Sequence, residues 1–162
     1  MQIINRVRYI LGGIKMSDKY ESLRLKNQLC FPIYAVSNLI TRKYKPFLDK
    51  LDLTYTQYIV MMVLWEEGKT NEKCLCETLC LKSNTVTPLL KKLEDKGYIK
   101  KEKDPEDARN LVITLTEQGK RLQDEALSVP QCMIKEFHIS PSEAEALYNT
   151  LYKILNNERE KD

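Results

Sequence analysis

A chain of 162 residues suits one well-packed domain, and its 43% hydrophobic and 30% charged residues are ordinary for a soluble globular fold. Five glycines stand among many leucines, lysines and glutamates, which favours helices. The formal net charge of +3 is too small to indicate a nucleic-acid partner by itself, so such a partner must be argued from clustered basic residues.

The N-terminal residues 1–24 are predicted to be a partly flexible extension. Residues 1–15 lack the small-residue cleavage site of an export signal, and no apolar run in the chain approaches the roughly 20 residues that cross a bilayer. We therefore expect a cytoplasmic protein with no membrane partner. Met16 precedes an ordinary polar N-terminus and is a second candidate start of translation. A membrane-surface helix is the alternative for 1–15, although Gly12 and Gly13 interrupt it.

Four helices are predicted in the first half of the remaining chain. Apolar residues recur at helical spacing from Leu29 to Leu48, which indicates a long first helix. Thr54 is the candidate N-cap of a second helix that Gly68 ends, and Asn71 is the candidate N-cap of a short third helix. A brief turn then leads into a fourth helix, NTVTPLLKKLEDKG. Three helices in quick succession with a tight turn before the last are typical of a helix-turn-helix.

The hydrophobic period changes from about 3.6 to 2 after Gly97, and this change predicts two strands at Tyr98–Lys101 and Leu111–Leu115. The charged loop EKDPEDARN joins them, and a hairpin directly behind a helix-turn-helix is a wing. Thr116 starts a fifth helix, which Pro130 bends or ends, and the sequence SPSE begins a sixth.

The predicted fold class is therefore mostly α: a winged helix-turn-helix with a two-stranded β-wing and N- and C-terminal helices that form a dimer interface. The two terminal helical regions flank the middle module in sequence, so they are the natural material for that interface. The expected organisation is one domain at 25–162, with a winged helix at about 50–116 between dimerisation helices at about 26–48 and 117–160.

The fourth helix has one apolar and one polar face. Four residues at i, i+3, i+4 and i+7 predict the buried face: Val86, Leu89, Leu90 and Leu93. The residues left outside are Asn84, Thr85, Thr87, Pro88, Lys91 and Lys92. Asn, Thr and Lys side chains hydrogen-bond base edges or phosphates, and a Thr methyl group packs on thymine. A merely solvated helix face is an equal alternative at this point.

The hairpin adds a second group of basic residues, which are Lys100, Lys101, Lys103 and Arg109. Arg109 is the candidate to enter an A·T-rich minor groove, where the narrow groove concentrates negative potential. Asp107 can orient its guanidinium through a charge-assisted pair. A solvated loop of mixed charge is the alternative. The predicted contacts to double-stranded DNA are Ser83, Asn84, Thr85, Thr87, Pro88, Lys91, Lys92, Lys101, Asp107 and Arg109.

The wing sequence DPEDARNLVITLTEQG resembles the D-x-R-x-x-x-V-x-L-T-x-x-G signature of MarR-type regulators. The segment SNTVTPLLKKLEDKGYI is similar to the recognition helix of that family, although Lys82 stands where some members have an acidic residue. The resemblance covers roughly residues 25–155. It implies a triangular homodimer with two DNA-binding lobes, which represses transcription at an inverted-repeat operator. The matching wing positions are Asp107, Arg109, Thr116 and Gly119.

Within that family, the stretch LKNQLCFPIYAVSNLITRKY followed by LDLTYTQYIV resembles the organic hydroperoxide-sensing branch, called OhrR. This resemblance implies that Cys30 is the reactive cysteine and that Tyr34, Tyr44 and Tyr55 surround its thiolate. It implies in addition that Cys132 is a candidate resolving cysteine, because some members form an intersubunit disulfide with a second cysteine at a comparable distance. Packing of this thiol, or a mixed disulfide with a small thiol, are the alternatives.

The position of Cys30 supports reactivity independently. Pro32 suits the first turn of a helix, where its missing N–H costs nothing, so Cys30 lies at the N-terminal end. The positive end of the helix dipole there favours the thiolate, which is the form that attacks peroxide oxygen. Tyr44 is about 21 Å further along the same helix and can therefore serve only the partner's Cys30. The alternative is that Cys30 is a small core hydrophobe.

The sequence thus predicts a repressor that organic hydroperoxide or thiol oxidative stress releases from DNA. Release by a small phenolic ligand is the first alternative. A thiol enzyme is the second, but no enzyme is expected because Cys30 lacks a histidine or acid partner. No metal or other cofactor is expected either, because Cys74 and Cys76 point in nearly opposite directions on one helix and, with Cys80, do not converge on one ion.

Overall fold

The computed structural model describes residues 20–104 and 111–159, and it is mostly helical with one small antiparallel sheet, as the sequence predicts. Short 3-10 turns cover Glu21–Leu23, Leu25–Asn27 and Asp49–Leu51. The regular elements are α1 (Cys30–Leu48), α2 (Tyr55–Glu67), β1 (Lys69–Thr70), α3 (Glu72–Leu79), α4 (Ser83–Asp95), β2 (Ile99–Lys103), β3 (Leu111–Leu115), α5 (Glu117–Ala126), α6 (Ser128–Glu136) and α7 (Pro141–Arg159).

Local capping chemistry confirms the predicted helix starts. The Thr54 hydroxyl accepts from the Gln57 N–H at 3.3 Å, and the Gln57 side chain accepts from the Thr54 N–H at 2.9 Å, which closes a capping box. The Asn71 side chain accepts from the Cys74 N–H at 2.9 Å. Each cap satisfies backbone N–H groups that the first turn of a helix leaves without partners.

The sheet has the strand order β1-β3-β2, with both pairings antiparallel. Its hairpin is the predicted wing, but β2 extends two residues beyond Lys101, because Lys103 pairs with Leu111. The sequence pattern does not predict β1, whose Thr70 pairs with Ile113. A strand of two residues shows no alternation, and only the neighbouring β3 makes it a strand.

The fifth helix ends close to Pro130, as the sequence predicts. α5 ends at Ala126 and α6 begins at Ser128, so the break at Leu127 lies within one turn before the proline. Pro130 has no N–H to donate to the carbonyl of Ala126, four residues earlier, and its ring crowds that carbonyl. The same proline lies in the first turn of α6, where its missing N–H costs nothing.

The hydrophobic core lies between α2, α3, α4 and the sheet, with Leu64, Leu75, Val86 and Leu93 all fully buried. The terminal helices contribute little to it, since Leu48 is the buried residue of α1 and α7 has none among its described side chains. Their apolar side chains are exposed instead. We call these side chains the terminal apolar face: Leu29, which precedes α1, then Phe31, Ile33, Val36 and Leu39 of α1, and Leu147, Tyr148, Tyr152, Ile154 and Leu155 of α7. None of the helices within 20–104 and 111–159 has the length and apolarity that crossing a bilayer requires.

Gly119 joins the wing to the helices at a point where a side chain has no space. Its carbonyl accepts from the Trp65 indole at 2.9 Å, and a Cβ at this position would lie 2.0 Å from the Tyr98 carbonyl oxygen. Gly119→Ala should therefore lower the free energy of unfolding by about 3 kcal/mol, because backbone must move to admit the methyl group.

Urea unfolding at fixed protein concentration measures this change. The exposed neighbour supplies the control, since Gln118→Ala should stay within about 0.5 kcal/mol of wild type. Equal stability of the two variants would contradict the close approach of Gly119 to Tyr98.

Candidate functional site

The fourth helix presents the two faces that its sequence predicts. Val86, Leu90 and Leu93 are 0–1% exposed and pack into the core, with Leu89 at 8%. All six polar-face residues are exposed: Asn84, Thr85, Thr87, Pro88, Lys91 and Lys92. The helix follows α3 after a three-residue turn in which Cys80 has a left-handed backbone, φ 53°. This is the geometry of a helix-turn-helix with its second helix facing outward.

A carboxylate that the sequence analysis missed ties α3 to the start of α4. Glu72 Oε1 accepts from the Ser83 hydroxyl at 2.5 Å and from the Thr87 hydroxyl at 2.6 Å. The Thr87 hydroxyl also lies 2.9 Å from the Ser83 carbonyl oxygen, so its single proton is shared between two acceptors. An acidic residue directly after the helix cap Asn71 was the available signal, but its partners depend on how α3 crosses α4.

The wing is less basic than its sequence suggests. Lys101 forms an ion pair with Glu94 at 2.7 Å, and Lys100 forms one with Glu102 at 2.9 Å. These carboxylates reduce the positive charge that the two lysines add to the surface. The predicted contacts Asp107 and Arg109 lie outside the described residues.

Cys30 is the first residue of α1 and is exposed, and Leu29 before it provides no side-chain cap. Pro32 lies in the first turn, as the sequence analysis expects. Tyr34, one turn further along, is 67% exposed. The alternative of a thiol packed in the core of its own subunit is therefore wrong.

Two of the three tyrosines that the sequence assigns to the thiolate site, Tyr44 and Tyr55, lie next to each other. Their ring centroids are 5.0 Å apart, and the Tyr58 ring lies 5.9 Å from that of Tyr44. Burial, with the nearby Tyr55 and Tyr58, raises the pKa of Tyr44 to about 12. This cluster occupies the far end of α1 from Cys30, about 21 Å away along the helix. One subunit therefore does not bring the thiol and the Tyr44 hydroxyl together.

Cys132 is half-buried on α6, which lies against α1. Lys43 Nζ lies 2.5 Å from Glu136 Oε2, and this hydrogen-bonded lysine lowers the pKa of the Glu136 carboxyl. The ion pair anchors α6 beside the C-terminal half of α1. Cys132 lies one turn before Glu136 on the same helix.

The other cysteines lie on or next to α3. Cys74 is exposed, Cys76 is half-buried, and Cys80 lies beyond the end of the helix. Burial, with Glu72 and Glu77 nearby, raises the pKa of the Cys76 thiol. Within the described ranges, no three His, Cys, Asp or Glu side chains are grouped so that they could hold a metal ion.

The raised pKa of Tyr44 predicts a specific alkaline instability. Its phenol ionises near pH 12 in the folded chain but near about pH 10 when unfolded, so the unfolded chain releases this proton first. The protonated phenol of Tyr44 therefore stabilises the folded chain fully below its unfolded pKa, and this stabilisation is lost as the pH rises through its folded pKa. Urea unfolding at a series of pH values measures this effect. Between pH 10 and pH 12, the free energy of unfolding should fall less steeply with pH for Tyr44→Phe than for wild type.

The matched control is Tyr34→Phe, which removes a phenolic hydroxyl from an exposed position of the same helix. Identical declines in wild type and Tyr44→Phe would mean that Tyr44 is as hydrated in the folded protein as in the unfolded chain.

Comparison with known proteins identifies regulators of transcription. The family model of the SarA/Rot transcriptional regulators matches residues 42–126. The organic hydroperoxide resistance transcriptional regulator of Bacillus subtilis is 38% identical over 147 residues, which are 91% of this chain and 100% of that protein. The HTH-type transcriptional regulator SarZ of Staphylococcus haemolyticus is 43% identical over 133 residues, which are 82% of this chain and 90% of SarZ.

Among solved structures, AbfR of Staphylococcus epidermidis is 38% identical, with a TM-score of 0.71 over 88% of this chain and 98% of AbfR. Reduced AbfR bound to DNA is 36% identical, with a TM-score of 0.69 over 86% of this chain and 98% of AbfR. A disulfide form of AbfR is 36% identical, with a TM-score of 0.58 over 88% of this chain and 97% of AbfR. The chain belongs to the SarA/Rot family of transcriptional regulators, which are DNA-binding proteins with a MarR-like winged-helix fold.

Proposed function

We propose that the protein is a homodimeric transcriptional repressor that senses organic hydroperoxide or thiol oxidative stress through Cys30 and releases its operator when this thiol is oxidised. The observation that carries the proposal is the exposed thiol at the start of α1. The Bacillus subtilis relative is named for organic hydroperoxide resistance, and AbfR has reduced and disulfide forms. Both support a redox function for this chain.

The homodimer follows from the same helix. The terminal apolar face exposes ten large apolar or aromatic side chains, and burying them against a second copy removes this area from water. Such a dimer with two-fold symmetry brings the Tyr44–Tyr55 pair of one subunit to the partner's Cys30. Phenolic hydroxyls at that place stabilise the thiolate by donating hydrogen bonds to it.

The chemistry requires a peroxide and the Cys30 thiolate. Sulfur attacks the outer oxygen of ROOH, the O–O bond breaks, and the RO⁻ group leaves and takes up a proton as the alcohol. Cys30 becomes a sulfenic acid, oxidised by two electrons. A second thiolate then displaces hydroxide from that sulfur, which forms a disulfide and, after protonation, water.

Cys132 is the second thiol that we propose, and it acts across the dimer. The Lys43–Glu136 ion pair holds α6 beside the half of α1 that is remote from Cys30. Because bridged cysteines have Cα atoms within about 7 Å of each other, this arrangement favours a disulfide between subunits over one within a subunit. A mixed disulfide between Cys30 and a small thiol is the alternative outcome.

The DNA contacts that we propose begin with the exposed face of α4 in the major groove. Thr85, Thr87, Pro88 and Lys91 face base edges, and Ser83, Asn84 and Lys92 flank them. In the wing, Lys101 contacts phosphate, and Arg109, oriented by Asp107, enters the minor groove. A two-fold dimer then reads an inverted repeat whose half-sites lie about one helical turn apart.

The redox proposal predicts which substitution blocks the response. Cumene hydroperoxide should release wild-type protein from a duplex selected out of a random-sequence pool, whereas Cys30→Ser should bind that duplex equally well and stay bound. Serine lacks a thiolate and does not attack the peroxide. Fluorescence anisotropy with and without peroxide measures both properties.

The matched control is Cys74→Ser, which removes another exposed thiol and should respond like wild type. Cys132→Ser should eliminate the covalent dimer seen on non-reducing electrophoresis, and mass spectrometry should then find Cys30 as sulfenic acid or a mixed disulfide. Release of Cys30→Ser by peroxide would exclude this cysteine as the sensor.

The DNA-contact proposal predicts a change in salt dependence. Lys92→Ala should weaken DNA binding and lower the slope of log K against log[salt] by about 1, because one phosphate contact beside the base-reading residues is lost. Lys120→Ala removes the same charge from α5, where the lysine pairs with Glu117 at 2.8 Å, and should leave the slope unchanged. An unchanged slope for Lys92→Ala would remove this residue from the phosphate contacts.

A further inference from the structure

Glu72 has an unusual position for a carboxylate next to a helix that reads DNA. It is the first residue of α3, held there by the Asn71 cap, and is half-buried against the first turns of α4. Its Oε1 atom receives both the Ser83 and the Thr87 hydroxyl. These two hydroxyls lie 3.5 Å apart on successive turns of the exposed face.

These bonds fix the orientation of Thr87. Threonine in a helix divides between two χ1 rotamers, and one of them bonds the carbonyl of the preceding turn. Here the hydroxyl has that carbonyl, of Ser83, at 2.9 Å and the Glu72 carboxylate at 2.6 Å as acceptors. Two acceptors on the protein side retain the hydroxyl, so the methyl group is the part of this exposed side chain that is left for a partner.

We propose that Glu72 is a positioning residue for sequence readout: it turns the Thr87 hydroxyl away from DNA so that the Thr87 methyl group contacts the 5-methyl group of a thymine. The inference rests on the proposed DNA contacts of α4. Methyl-to-methyl contact in the major groove distinguishes thymine from the other bases and needs no hydrogen bond. Without the carboxylate, the Ser83 carbonyl alone holds the Thr87 hydroxyl, so the side chain changes rotamer more readily and offers its hydroxyl to DNA.

The acceptor and the charge of Glu72 have separable consequences. Glu72→Gln keeps an oxygen that accepts both hydroxyls but removes a negative charge near the phosphates, so binding to all duplexes should strengthen about equally. Glu72→Ala removes the charge and the acceptor together. The two variants therefore share the electrostatic effect and differ in the orientation of Thr87.

The test uses the full chain and a duplex selected by wild-type protein from a random-sequence pool, with each thymine replaced in turn by deoxyuridine. One replacement in each half-site should weaken wild-type binding about fourfold, the effect of one buried methyl group. Glu72→Gln and Thr87→Val should keep this discrimination, whereas Glu72→Ala and Thr87→Ser should lose it. The matched control is Glu77→Ala, which removes an exposed carboxylate from α3, the helix of Glu72, and should keep the discrimination between thymine and deoxyuridine.

Each other outcome overturns the inference. Discrimination that survives in Glu72→Ala would show that Thr87 needs no carboxylate, and loss in Glu72→Gln as well would show that charge, not the acceptor, matters. Thermal melting separates a folding defect from a readout defect. If Glu72→Ala does not fold, equal discrimination by Thr87→Ser and Thr87→Val still refutes the methyl contact. Failure of wild-type protein to select any duplex would instead refute the proposed function itself.

Discussion

The 19-residue helix α1 is the constraint from which the proposed sensor follows. A helix rises about 1.5 Å per residue, so it holds Cys30 and Tyr44 apart by a distance that no side chain spans. The same helix leaves its apolar side chains exposed while Leu48 at its end enters the core. In the proposed dimer, a second copy covers these side chains and supplies a tyrosine to the thiol.

The other end of α1 is joined to the DNA-binding module through backbone carbonyls. The chain passes from Leu48 directly into the turn Asp49–Leu51, whose last carbonyl accepts from the buried Tyr98 hydroxyl at 3.3 Å. The Lys96 ammonium donates to the Asp52 carbonyl and lies 3.0 Å from the Asp52 carboxylate. Lys96 directly follows α4 and Tyr98 precedes β2, so the turn after α1 contacts the chain between the fourth helix and the wing. A shift of α1 would therefore act on both elements at the same point.

The features that the sequence predicted correctly depend on neighbouring residues. Thr54 and Asn71 cap their helices through bonds that span three residues, and the apolar spacing of α4 specifies its buried face. What it did not predict depends on residues far apart in the chain. Strand β1 exists because β3 lies beside it. The end of the fifth helix before Pro130 is by contrast a local effect that the sequence predicts.

The candidate sites follow the same rule. Cys30 was predicted at a helix start because Pro32 follows it closely, and the exposed face of α4 was predicted from periodicity. The link from Glu72 to Thr87 spans 15 residues and depends on the crossing of α3 over α4. The ion pair between Lys101 and Glu94 likewise joins the wing to α4.

The ion pairs of the wing lysines reduce the electrostatic contribution of the wing to DNA binding. Lys100 and Lys101 each have a carboxylate within 3 Å, so phosphate contact requires them to share or exchange a partner, and the gain is small. The chain carries a net charge of only +3, which provides little long-range attraction. In the proposed complex, sequence readout by α4 therefore contributes a larger share of the binding free energy. Binding of this kind is sensitive to the spacing of the two recognition helices of the proposed dimer, which is the property that the proposed oxidation of Cys30 would alter.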